Sequence, residues 1–273
     1  VKYFIVGLSL LGLTQFAFAQ RISTLMGARA HGLAYASVTL EDEWSILNNT
    51  AGLARHNTTS VAATHLIHPS LTAFNKSALS VSLPLKSGSM GVGAFKFGDD
   101  LYNEQLLTLG YAQRVGNTAL GLRTNYSQFN AEGFGRKGQI AFSMGSITTL
   151  SSHVLVGINI HNILQPKFDK NWQEQLPTII TAGVGIKASE NFNVYTELEK
   201  DISKRVGAKA AIEYHYLQKF FVRTGYNMML NNVHVGVGFH KQSYHIDYGF
   251  SHHPFIGVSH QASIHLPFKR KKS

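Results

Sequence analysis

The stretch Leu120-Gly121-Leu122-Arg123-Thr124-Asn125-Tyr126 decides the fold. Read with the two-residue period of a strand, it puts Leu120, Leu122 and Tyr126 on one face. Gly121, Arg123 and Asn125 fall on the other. A soluble barrel would turn its apolar face inward and its charges outward. Here the apolar face is clean enough for lipid, and an arginine in a dry core would be costly. A wet or plugged lumen behind an apolar exterior accommodates both faces.

The same alternation recurs along the chain. Ile140, Phe142 and Met144 oppose Gln139, Ala141 and Ser143, and Val154, Val156, Ile158 and Ile160 oppose Gly157, Asn159 and His161. Near the end, Ile246, Tyr248 and Phe250 oppose His245, Asp247 and Gly249. The pattern predicts fourteen strands, at 60–68, 76–85, 89–98, 102–115, 117–129, 137–149, 153–163, 177–188, 191–200, 207–216, 220–227, 232–241, 244–252 and 256–268. The first and third are the least regular. Most are near the 9–11 residues that a tilted membrane-crossing strand needs. Their polar faces carry Arg123, Glu197, Lys209, Glu213, Arg223 and Asp247.

The connections agree. Every second link is short, such as Lys86-Ser87-Gly88, Gly116, Ser189-Glu190, Leu217-Gln218-Lys219 and Gln242-Ser243. The others are mostly longer, and this is how outer-membrane barrels are linked. Two short turns also set cross-strand pairs. Gln242-Ser243 places His240 opposite His245, with Asp247 two residues on, and residues 217–219 place Glu213 opposite Arg223. Glu197 and Glu199 lie one strand from Lys209.

Composition limits the alternatives. The 273 residues include 25 glycines and no cysteine, which excludes disulfide frameworks and thiolate chemistry. The formal net charge is +10, with cations scattered over loops and strands apart from Lys269-Arg270-Lys271-Lys272. This scatter suits anionic lipid headgroups, including lipopolysaccharide phosphates, and does not suggest nucleic acid. Residues 1–19 have the basic start, apolar middle and Ala17-Phe18-Ala19 end of a cleavable secretory signal peptide. The expected organisation is therefore a signal peptide at 1–19, an N-terminal plug or hatch segment at 20–57, a transmembrane β-barrel at 58–268, and a basic tail at 269–273. The fold class is all-β, a fourteen-stranded antiparallel barrel located in the outer membrane.

Gly27 to Leu53 lacks a strand rhythm and is rich in small residues, so it lies inside the barrel or below it. Together with the strands it resembles the superfamily of FadL-type outer-membrane channels, and within it the PorV/PorQ family linked to type IX protein secretion. The residues that carry the likeness are Gly27-Ala28-Arg29-Ala30, Gly32, the acidic Glu41-Asp42-Glu43-Trp44, and Asn48-Asn49-Thr50-Ala51-Gly52-Leu53. Leu101-Tyr102-Asn103-Glu104, Leu176-Pro177-Thr178-Ile179 and Glu197-Leu198-Glu199-Lys200-Asp201 add to it. Thr50 stands where the family box has proline. The long loops in which fatty-acid channels collect substrate are missing.

The resemblance implies a plug whose motif residues are Gly27, Arg29, Gly32, Asp42, Asn49, Ala51 and Gly52. The polar lumen lining is expected from Arg123, Glu197, Lys209, Glu213, Arg223, His240, His245 and Asp247. His240, His245 and Asp247 could in principle bind a transition metal, but none of their spacings is a metal motif. The reading adopted is polar lining without metal or cofactor. There is no Gly-x-Ser-x-Gly and no phosphate loop, so no enzyme is expected. The leading expectation is a barrel that binds secretion-machinery or cargo proteins. The alternative is a passive channel for small hydrophobic molecules, gated by the N-terminal segment.

Overall fold

The computed structural model describes residues 23–133, 135–164, 167–169, 172–175, 177–202 and 205–268. The expected signal peptide and basic tail lie outside them. Sixteen strands are present: β1 Thr59–Ile67, β2 Lys76–Leu85, β3 Gly88–Gly98, β4 Tyr102–Val115, β5 Thr118–Ala131, β6 Gly135–Ser151, β7 Val154–His161, β8 Lys167–Asp169, β9 Trp172–Gln175, β10 Ile179–Ser189, β11 Phe192–Asp201, β12 Val206–Tyr216, β13 Phe220–Asn227, β14 Asn232–Lys241, β15 Tyr244–His253 and β16 Gly257–Phe268. Fourteen of them form one closed antiparallel barrel, with β1 sealing against β16 from Thr59↔Phe268 to Ile67↔His260. β8 and β9 form a separate two-stranded ladder. They lie within the link after β7, where no strand was expected. Among the described residues no helix is long and apolar enough to cross a membrane.

The wall is inverted relative to a soluble barrel, as Arg123 required. Leu122 is 63% exposed and Val237 53%, whereas Arg223 is 1% and Glu213 0% exposed. Outward apolar residues and inward polar ones alternate on nearly every strand, which is the pattern of a transmembrane barrel. The register also follows the turn arithmetic: His240 pairs with His245, Glu213 with Arg223, and Glu197 with Lys209. The largest departure is β6, which begins two residues before the predicted strand and ends two after it. Its two extra residues at the start continue the ladder with β5, up to Ala131↔Gly135.

Closure leaves an interior to be filled, and residues 23–57 fill it. Their structure is a single short helix α1, Ala28–Gly32, and a 3-10 helix, Thr50–Arg55, joined by turns. Asn49 begins the 3-10 helix by accepting a hydrogen bond from the Ala51 amide at 3.2 Å. The small residues expected in this stretch are needed for close approach. A Cβ on Gly32 would sit 2.9 Å from Gly236 Cα on β14. Gly27, at φ 107°, occupies backbone space that favours glycine, and a side chain there would strike the Trp44 indole.

Candidate functional site

The site is the lumen with its plug. Two halves of the wall hold the plug in different ways. On the β2–β4 side the plug residues Met26, Trp44, Ile46, Leu47 and Leu53 form one apolar cluster with Ala78, Phe95, Phe97, Leu106 and Ala112. A smaller cluster joins Leu33, Ala36 and Leu40 to Tyr195 and Ala211. These are the apolar core of a molecule whose wall turns most of its apolar side chains to lipid.

On the β11–β15 side the contacts are charged. Arg29 donates two bonds to Glu213, Nε to Oε2 at 3.0 Å and Nη2 to Oε1 at 2.8 Å. Its Nη1 reaches Asp42 at 3.4 Å. Glu213 also takes the Arg223 guanidinium, which donates from Nη1 to Asp247 at 2.6 Å. His240 lies 3.1 Å from Asp247. Lys209 binds Glu197 and Glu199, both at 2.7 Å, and the second oxygen of Glu197 accepts the Ser37 and Val38 amides. Each of these charges therefore has at least one opposite charge or donor, which is the condition for keeping it away from water.

Polar contacts to plug backbone complete the seal. Arg123 donates to the Ile46 carbonyl, and its other terminal nitrogen lies 2.7 Å from His161 Nδ1. Asn49 donates to Val38 and, across to β6, to the Ser146 carbonyl at 3.3 Å. Asn159 of β7 donates to the Asn48 carbonyl at 3.1 Å, and Ser80 of β2 to that of Glu43 at 2.6 Å. These bonds satisfy backbone groups that an aperiodic segment cannot pair internally.

All seven motif residues of the plug are inside the barrel, and all eight predicted lumen residues face inward. The arrangement brings Arg29, Asp42, Glu213, Arg223, His240 and Asp247 into one network. Gly32, Ala51 and Gly52 act elsewhere through close approach, and Asn49 through its hydrogen bonds. Glu43, Trp44, Asn159 and His161 contribute contacts that spacing could not assign, because their partners lie far away along the chain.

At the end of the barrel with the longer links, a cavity of about 520 Å³ lies above the plug. Leu25, Leu66, Phe74, Leu106, Ile179 and Met229 line it together with the charged Lys76, Arg123, Glu197, Glu199 and Lys209, and His31, Tyr35, Val38 and Asn48 form part of its plug-side surface. Residues 23–25 also line this cavity, and Lys76 of β2 donates to the Ser23 carbonyl at 3.0 Å. At the opposite end an aromatic row crosses five strands. His265, His245, His240, Phe221 and His215 lie ring to ring, with successive centroids 4.7, 4.2, 4.1 and 4.7 Å apart.

Fold and site together define a closed fourteen-stranded antiparallel transmembrane β-barrel with a plug inside it. Solved structures similar in fold include the CymD monoaromatic hydrocarbon channel, at 12% identity and TM-score 0.69 over 93% of this chain and 100% of that one. The toluene transporter TbuX of Ralstonia pickettii matches at 9% identity and TM-score 0.71, over 90% and 99%. The P. putida toluene transporter TodX matches at 10% and 0.65, over 91% and 100%. No protein-family model and no curated protein matches the chain.

Proposed function

We propose that the chain is a passive outer-membrane channel for small hydrophobic molecules, with residues 23–57 as its hatch. The observation that carries this is the cavity above the plug, in which an apolar patch of Leu25, Leu66, Phe74, Leu106 and Met229 among polar and charged residues suits a solute of the size of a single aromatic ring. The likeness in fold to hydrocarbon and toluene channels supports it over a secretion role. A solute entering that cavity meets the plug, so passage requires the plug to move. Most of the hydrogen bonds and ion pairs described above hold it in place. The wall needs no catalytic group, since the channel works by exclusion and release. Exposed Arg136 and Lys137, at the long-link end of β6, supply cations suited to lipopolysaccharide phosphates.

The test is permeation by reconstituted full-length protein. Toluene should equilibrate across proteoliposomes faster than across protein-free vesicles, and Arg29→Ala, which frees one side of the plug, should raise the rate several-fold. Equal rates with and without protein, for wild type and variant alike, would overturn the channel reading.

A second reading is a PorV/PorQ-type role in type IX secretion. It draws on the N-terminal motif and on an apolar rim, where Phe255 is 93%, Leu164 68% and Leu101 65% exposed. Apolar side chains of this size on short loops suit a protein partner. Loss of surface-attached proteins on gene deletion, with hydrocarbon entry unchanged, would favour it.

A further inference from the structure

The aromatic row at the short-turn end contains a group of atoms that neither the plug network nor the channel reading uses. His245 Nδ1 and His265 Nδ1 face each other at 3.0 Å. Glu43 Oε2, from the plug, lies 3.7 Å from His265 Nδ1, and one ligand atom from each of the three residues falls within 4.8 Å of the others. Among the described residues no lysine or arginine forms an ion pair with Glu43, although it is 7% exposed. The nearby cations are committed elsewhere: Arg29 to Glu213 and Asp42, and Arg223 to Glu213 and Asp247.

Three Lewis bases thus converge without a counter-charge. We propose that Glu43, His245 and His265 form a binding site for a divalent transition cation of the zinc type, which ties the plug to β15 and β16. Imidazole and carboxylate are the ligand set such cations take, with bonds of about 2.0–2.2 Å. One ion with bonds of that length spans the 3.0 and 3.7 Å separations as they stand. The remaining pair closes by rotation of side chains. Stacking fixes the His245 ring: His240 lies against it at 4.2 Å and 12°, and is itself held by Asp247. His245 is half-buried and is the second residue of β15, next to the Gln242-Ser243 turn, so a cation has a route in from the aqueous mouth.

The ligands come from two separable parts of the molecule. Two belong to adjacent strands of the wall and one to the plug, so the cation acts as a latch at the end opposite the cavity. Binding at this site does not depend on what the barrel carries.

The experiment uses the full chain, purified in detergent, stripped with EDTA and titrated with Zn²⁺ alone by calorimetry. One Zn²⁺ per chain is expected. Glu43→Gln and His245→Asn should each weaken binding at least tenfold, while His260→Asn, on the lipid face, leaves it unchanged. X-ray absorption of the loaded protein should show two imidazole ligands. Zn²⁺ should also slow proteolysis of residues 23–57 in wild type but not in Glu43→Gln, which retains the volume of the side chain. Heat-modifiable gel mobility checks that each variant is assembled. Absence of stoichiometric binding, or binding that is insensitive to Glu43→Gln, would overturn the proposal.

Discussion

The β2–β4 wall and the β11–β15 wall grip the same plug by opposite means. The first offers Phe95, Phe97 and Leu106 to Trp44, Ile46 and Leu53, and its contacts are non-directional. The second offers Glu197, Glu213, Arg223 and Asp247, whose bonds fix Arg29 and the backbone at Ser37 and Val38 in direction and register. An apolar contact tolerates sliding, whereas a buried ion pair that slips leaves charges unpaired. On the proposed channel reading, the apolar wall acts as a bearing and the charged wall as a catch. A hatch needs both: something that sets the closed position, and something against which to move.

That contrast can be broken most strongly at the catch. Glu213→Ala leaves the Arg29 and Arg223 guanidiniums short of a partner inside the barrel. Removing one member of a buried ion network costs about 4 kcal/mol. The expected result is a large loss of assembled protein, read as the urea midpoint of the heat-modifiable form. A midpoint like that of wild type would mean that the charged wall does not hold the plug.

On the apolar side, Trp44→Ala removes a fully buried indole, at about 3 kcal/mol. Because the wall is closed by its own ladder, this loss should fall on the plug. Proteolysis within residues 23–57 should accelerate while the barrel keeps its mobility. Unfolding of barrel and plug together would show that the two walls are not independent.

Asn49 links the plug across to β6 and caps the 3-10 helix, so Asn49→Ala tests a contact that belongs to neither wall. About 1–2 kcal/mol should be lost. Hydrogen exchange at residues 50–55 should rise without a change at Arg29. Exchange unchanged at residues 50–55 would remove Asn49 from the seal.

The smallest effect is at the cavity mouth. Burial, with Lys76 and His253 nearby, pulls the His68 imidazole in the β1–β2 link from 6.5 down to about 4. The folded link favours the neutral ring. Its contribution is therefore full above pH 6.5 and is lost as pH falls from 6.5 towards 4. The group is half-exposed, so solvent screening keeps the effect below about 1 kcal/mol. Protease sensitivity of residues 68–75 should rise over that pH window, and His68→Gln should flatten it. A pH profile that His68→Gln leaves unaltered would exclude this histidine as the source.

Much of this molecule follows from the sequence alone, and the reason is local. A strand's faces are set by a period of two, and a short turn fixes the register of the two strands it joins. Arg123 on the non-lipid face was therefore enough to turn the barrel inside out, and Gln242-Ser243 was enough to pair His240 with His245. Glu213 and Arg223 met for the same reason. The plug offered no such rule. Its small residues showed that it packs closely, but not against what. Arg29 meets Glu213 across 184 positions of sequence, and Ala28 meets Ser263 across 235. Glu43 stood in an acidic run with nothing to mark it as the residue that reaches His265. Only closure of the barrel around an aperiodic segment brings these groups together, because contacts that long have no period or turn to announce them.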